Sequence, residues 1–148
     1  MLKSTDKKNY VFIADFFVNQ IAGGGELNNE EAINILKSRN NSVTEINSHL
    51  VSPAFVKENL DKKFIIGNFI NLSPESKHFL AEEEAQYIIY EHDHKYLQTR
   101  DPSVFEDFRA PESAIINRKF YKNAAAVLCQ SNLHTEIVRK NLGYDNII

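Results

Sequence analysis

The run Glu91-His92-Asp93-His94 places two imidazoles among two carboxylates. Those are the side chains that exchange protons, orient hydroxyls and hold metal near neutral pH. Side chains alternate along a strand, so if the apolar run over residues 85–92 stays extended, His92 and His94 share one face and Glu91 and Asp93 the other. An H-x-H pair also has metal-ligand spacing. A catalytic zinc takes three protein ligands, however, and no second His, Cys or carboxylate motif supplies the third, so no metal is expected. A plain solvated loop and a metal-dependent hydrolase working through His92 and His94 stand beside the ligand-contact reading of this cluster.

The second candidate is Gly23-Gly24-Gly25, which follows an apolar run and precedes a helical pattern. Glycines let backbone approach an anion closely, and a helix start presents unpaired N–H groups and positive dipole, so phosphate is the natural guest. A flexible turn is the competing reading. The dinucleotide fingerprint G-x-G-x-x-G would need a third small residue where Asn28 stands, although Glu45 lies at the distance of a ribose-binding acid. NAD binding is therefore the weaker reading. Cys129 sits in an apolar run as a small buried hydrophobe, and His49, His78 and His134 have no partner that the sequence names.

The elements that must position these residues alternate regularly. Residues 10–18 mix Val, Ile, Phe and Ala too continuously for a half-exposed strand, as in a strand covered on both faces. Residues 26–38 read as a helix with acids early and Lys37 and Arg39 late. A short strand over 42–46, a helix over about 53–60 and a buried strand over 63–70 follow. Ser73-Pro74 then opens a helix to about Glu84, since serine caps and proline fits the first turn. Strand 85–92, a helix over about 111–123, strand 124–130 and a helix from Ser131 or Asn132 to Leu142, stopped by Gly143, complete the pattern. Glu82, Glu83 and Glu84 read as a solvated helix end. The last residues, Asn146-Ile147-Ile148, look like the start of a sixth strand, so the sheet appears cut off and the chain reads as one part of a larger or split protein.

Strand–helix alternation predicts an α/β fold: a Rossmann-like parallel sheet of five to six strands, order 3-2-1-4-5 in chain numbering, with helices on both faces. Ligands of such sheets bind at the carboxyl ends of the strands, where the glycines, His92 and Ser131 are expected together. One domain over residues 1–148 accounts for the length, which buries about 68–70% of the unfolded surface. A formal charge of −3 gives no basic field for nucleic acid, and no apolar run approaches the roughly 20 residues of a transmembrane helix. A single cysteine can form no internal disulfide, and cytoplasmic residence is the default expectation.

Taken in order, the first apolar strand, Gly23-Gly24-Gly25-Glu26, KFIIGNF, YIIYEHDHKY and AAAVLCQSNLHTEIVRKNLG resemble the N-terminal half of two-domain GT-B type glycosyltransferases, particularly the retaining family 4 group. The resemblance runs along nearly the whole chain. It implies a transferase that moves a sugar from a nucleotide-sugar donor, used as co-substrate with no further cofactor, to a carbohydrate or other hydroxyl acceptor. It implies that Gly23, Gly24 and Gly25 lie by the donor diphosphate and that His92 of the His92-Asp93 pair contacts the transferred sugar as the catalytic residue; Asp93, His94 and Ser131 are expected as neighbours of that site from their position at the same sheet edge. His94 itself has no counterpart in the family pattern. It further implies that this acceptor-side domain works with a C-terminal nucleotide-binding domain, or a partner subunit, absent from these residues; a non-catalytic module assembling with a separate catalytic subunit is the alternative.

Overall fold

The structure, a computed structural model, describes residues 6–83 and 85–148. Five parallel strands form one sheet: β1 (Asn9–Ala14), β2 (Ser42–Asn47), β3 (Lys63–Ile66), β4 (Gln86–Tyr90) and β5 (Ala126–Leu128). Five α-helices alternate with them: α1 (Gly24–Ser38), α2 (Pro53–Glu58), α3 (Pro74–Glu82), α4 (Arg118–Asn123) and α5 (Asn132–Leu142). The α/β class and the all-parallel sheet agree with the sequence reading. No helix among the described residues is long and apolar enough to cross a membrane.

The strand order is β2-β1-β3-β4-β5, which corrects the expected 3-2-1-4-5. Burial explains the exchange. In β3, Phe64, Ile65 and Ile66 are all buried, and such a strand needs a neighbour on each side; it pairs with β1 on one and β4 on the other. In β2, Thr44 and Glu45 are exposed, a pattern that suits an edge. The correction has a functional consequence. The point where successive connections leave in opposite directions lies between β1 and β3, so the ligand crevice is expected at the carboxyl ends of that pair.

Both faces of β1 are sealed. Val11 and Ile13 belong to the larger core, where α2, α3, α4 and α5 contribute Val56, Leu80, Phe120 and Val138. Phe12 and Ala14 face the smaller core under α1, which supplies Ile33. Helices on both faces follow from right-handed crossovers that run one way from β1 to β2 and the other way from β2 onward.

The local start and stop signals act as expected in α2, α3 and α5. Ser52, Ser73 and Ser131 each accept from a backbone N–H of the first turn, and Gly143 ends α5 in the left-handed region at φ 68°. Elsewhere the elements are shorter than read. The helix expected over 111–123 begins only at Arg118, because Asn117 adopts φ 57° and breaks the helical path. Helix α3 ends at Glu82; Glu84, where the sequence reading ends it, lies outside the described residues. Residues 146–148 do run parallel to β5. Val127 N–H donates to Asn146 O (2.8 Å), Ile148 N–H to Val127 O (2.9 Å) and Cys129 N–H to Ile148 O (2.8 Å). Ile147 is fully buried and Ile148 exposed.

Candidate functional site

Strand β1 ends at Ala14, and the next residue is a buried aspartate. Asp15 accepts hydrogen bonds from the backbone N–H groups of Ile70 (2.9 Å) and Asn71 (2.9 Å) and from the Ser48 hydroxyl. One carboxylate thereby ties the loops after β1, β2 and β3 together, with charge-assisted bonds that a neutral acceptor would make more weakly. Beside it, at the carboxyl ends of β1, β3 and β4, opens a cleft of about 430 Å³. Asp15, Asn68, Asn71, Asp93, Lys95 and Arg100 line it, and Glu26 reaches it from α1. This is the crevice that the observed strand order requires, and its lining offers donors and acceptors in quantity, as a polyhydroxylated ligand needs.

The glycine loop and His92 meet at this edge. Gly23 is the N-cap of α1, and Gly24 and Gly25 form its first turn, so three glycines carry backbone N–H groups without helical partners. A Cβ on Gly25 would lie 3.5 Å from the Asn68 amide and 3.7 Å from the His92 ring, and one on Gly23 would meet the Glu26 carboxylate; around Gly24 there is open space. Both distances are ordinary van der Waals contact, so the helix start lies beside the imidazole and a methyl group at Gly25 would touch the ring without displacing it. His92 Nε2 donates to Asn29 Oδ1 (2.6 Å), one turn further along α1, and the ring packs edge-on against Tyr90 at 4.6 Å. Desolvation first, then the Lys95 charge, lower the His92 pKa to about 4. At neutral pH the ring is uncharged with Nδ1 as its acceptor. Asn29 is itself wholly buried, wedged against Gly67, where a Cβ would come within 2.6 Å of its Oδ1.

Strand β4 stops at Tyr90. His92 and His94 both lie beyond the end of the strand, so strand alternation does not set their relative placement. The His94 ring instead meets His134 at 4.7 Å and shares a 2.8 Å hydrogen bond between its Nδ1 and the Tyr96 hydroxyl. Burial and then the neighbouring His134 lower the His94 pKa to about 4. Among the described residues no three His, Cys, Asp or Glu side chains converge as a metal set. Ser131 is not part of the cleft lining. It caps α5 through the His134 N–H (3.1 Å), and His134 Nδ1 accepts from Gln130 N–H (3.2 Å), so Nε2 carries the proton donated to Asp93 O (3.2 Å).

Beneath the cleft lies a buried charge cluster. Glu91 is fully buried and receives the Tyr121 hydroxyl and the Lys95 ammonium (3.2 Å). Lys95 also pairs with Asp93 at 2.7 Å, and Arg100 reaches the other Asp93 oxygen at 3.8 Å. Desolvation raises the Glu91 pKa despite the opposing pull of Lys95 and Tyr121. Asp93 is thus held at the cleft by two cations, one of them anchored in the core.

Of the residues singled out from the sequence, Gly25 and His92 lie side by side and Asp93 lines the cleft, whereas neither His92 nor a glycine is part of its lining; Asp15, Asn29, Asn68 and Lys95 were not singled out. A carboxylate directly after a central strand was a readable signal for Asp15. Asn29 stands four residues after Gly25, hence on the same side of the helix. Compared with protein-family models, with curated proteins and with solved structures, the chain has no match.

Proposed function

We propose that this chain is the acceptor-side domain of a glycosyltransferase, which passes a sugar from a nucleotide-sugar donor to a hydroxyl of a carbohydrate or other acceptor. The observation that carries the reading is the meeting of Gly25 and His92. A helix start with free N–H groups lies against a neutral imidazole, and Asn68, which neighbours Gly25, lines the polar cleft beside them. In the proposed arrangement the N–H groups of Gly24 and Gly25 face the donor diphosphate. His92, its ring fixed by Asn29, offers Nδ1 as acceptor to a hydroxyl of the transferred sugar. The acceptor occupies the 430 Å³ cleft among Asn68, Asn71 and Asp93. Its hydroxyl oxygen forms the new bond at the anomeric carbon, the nucleoside diphosphate departs with the bonding pair, and the hydroxyl proton passes to an oxygen of the departing phosphate.

A leaving diphosphate needs preorganised cations or N–H groups. A single loop in contact with water supplies little of that, because charge interactions are weak at high dielectric. The proposal therefore includes a second α/β domain, in cis or as a partner subunit, closing over the carboxyl edge. Phe16 (40% exposed), Ile70 (50%) and Leu133 (62%) stand at that edge, as apolar residues awaiting a cover do. The same residues favour the alternative, a non-catalytic module that completes a separate catalytic subunit.

Turnover of nucleotide sugars tests both. Residues 1–148 alone are expected to show none, and turnover is expected when the second domain is supplied. In that complete enzyme, His92→Ala lowers kcat by about tenfold or more, about 1.4 kcal/mol of transition-state binding, with a smaller change in donor affinity. Robust turnover by the isolated chain refutes the half-site reading. Unchanged kinetics in His92→Ala removes that residue from the site, and a complex with a subunit that carries all the catalytic groups establishes the alternative.

A further inference from the structure

A groove of about 310 Å³ runs between α3 and α4, on the sheet face opposite α1 and apart from the cleft just described. Lys77, His78, Arg118 and Lys119 line it, with Pro74 and Phe120 as an apolar wall. On a chain whose net charge is −3, this is a local concentration of the opposite sign. Two acids answer it: Glu112 pairs with Arg118 and Glu82 with Lys119, both near the surface.

Lys77 has no such answer. Among the described residues no carboxylate lies within 4.0 Å of its ammonium, which is held by Asn117 Oδ1 at 3.3 Å and stands 5.6 Å over the Phe69 ring. Asn117 is pinned in turn: its left-handed backbone and its Nδ2 bond to Lys95 O (3.0 Å) aim the amide oxygen at Lys77. A half-buried ammonium with one neutral acceptor and an aromatic face is under-compensated, since burial of a charge is unfavourable without a counter-charge. Desolvation accordingly lowers the Lys77 pKa, against an opposing pull from Asp15.

We propose that this groove is a second binding site and takes a small phosphate-bearing molecule, with Lys77 as the inner contact and Arg118 and Lys119 at the rim. A dianion engages an ammonium and a guanidinium at once, and the planar guanidinium matches phosphate oxygens in pairs. The volume exceeds that of phosphate alone, and Pro74, Ala81 and Phe120 offer the remainder an apolar surface. The ligand is thus a phosphate ester whose organic part is compact and at least partly apolar, and it sits apart from the proposed donor and acceptor positions.

The test is a titration of the chain, followed by amide chemical shifts, with inorganic phosphate and with phenyl phosphate as separate probes. Saturable shifts are expected over residues 74–81 and 117–120 with both. Phenyl phosphate should bind more tightly, with Kd of about 1 mM or below. Lys77→Gln should weaken it by about tenfold, equivalent to ~1.4 kcal/mol, and Lys77→Arg should restore most of the loss. Arg118→Gln, at the surface, serves as the second variant should Lys77→Gln disturb the fold, and is expected to weaken binding as well. Equal affinity for the two probes identifies a plain phosphate site and overturns the ester assignment. Absence of saturation, shifts confined to residues 23–26 and 91–95, or binding unaltered in both variants overturns the site. Because the groove and the cleft report through different amides, failure here leaves the transferase reading standing, and the reverse holds too.

Discussion

The buried pair Glu91–Lys95 allows a sharp test of how the cleft is supported. Both side chains are sealed, at 0% and 2% exposure, with the ammonium 3.2 Å from the carboxylate. At that distance and an effective dielectric near 20, their attraction is about 5 kcal/mol. Removal of two charges from water has an opposing penalty of several kcal/mol, and desolvation, with the neighbouring Asp93 charge, raises the Glu91 pKa against the pull of Lys95 and Tyr121. The pair is therefore worth little net, but either partner left alone is expensive. In Glu91→Leu the ammonium keeps only the half-exposed Asp93, and the Tyr121 hydroxyl loses its acceptor. The expected loss is ~3–5 kcal/mol, a large share of a typical 5–15 kcal/mol stability. In Lys95→Met, Glu91 keeps the Tyr121 bond and can take up a proton, so the loss is smaller, about 1–3 kcal/mol. The double variant Glu91→Leu/Lys95→Met contains no orphaned charge. Its loss should fall short of the sum of the single losses by at least about 2 kcal/mol. Urea unfolding at pH 7.5, followed by circular dichroism with a common m-value, measures the cycle. Additive losses within about 0.5 kcal/mol would show that the two groups do not depend on each other and would refute the reasoning.

Acid should destabilise the fold through its histidines. His92 and His94 drop from the ordinary 6.5 to about 4, and burial lowers His134 as well. Between pH 6.5 and 4 the unfolded chain therefore holds more protons than the folded one. Stability is full above that window and is lost as pH falls through it, by up to about 1.4 kcal/mol per pH unit for each group. Glu91 acts with the opposite sign, so His92→Gln/His94→Gln should flatten the pH dependence of the urea midpoint between pH 7 and 5; an unchanged slope counts against the assignment. Gly67→Ala should lower stability by about 1–3 kcal/mol, because its Cβ would press on the Asn29 side chain that holds His92. Adding Asn29→Ala makes room, so a double variant no better than the sum of the two singles would show that the crowding lies elsewhere.

What the linear chain determines here is local. The apolar runs at Val11–Ala14 and Phe64–Ile66 specify buried strands, Ser73-Pro74 and Ser131 specify helix starts, and Gly143 specifies a stop, since each acts through dihedral preference or periodicity over a few residues. The placement of Gly25 and His92 on one edge also followed, because in any parallel α/β sheet the loops after the strands gather at the carboxyl ends. Strand order did not follow. β3 sits beside β1 because the burial of Phe64, Ile65 and Ile66 on both sides is settled by the whole sheet, and that choice moved the crevice to Asp15 and Asn68. Nor could spacing show that β4 ends at Tyr90, before both histidines, or that the His94 ring packs against His134. The contacts His92–Asn29 and Glu91–Tyr121 join residues 63 and 30 positions apart. Encounters at that separation depend on register, crossover handedness and what each buried polar atom can find as a partner, and only the folded chain decides them.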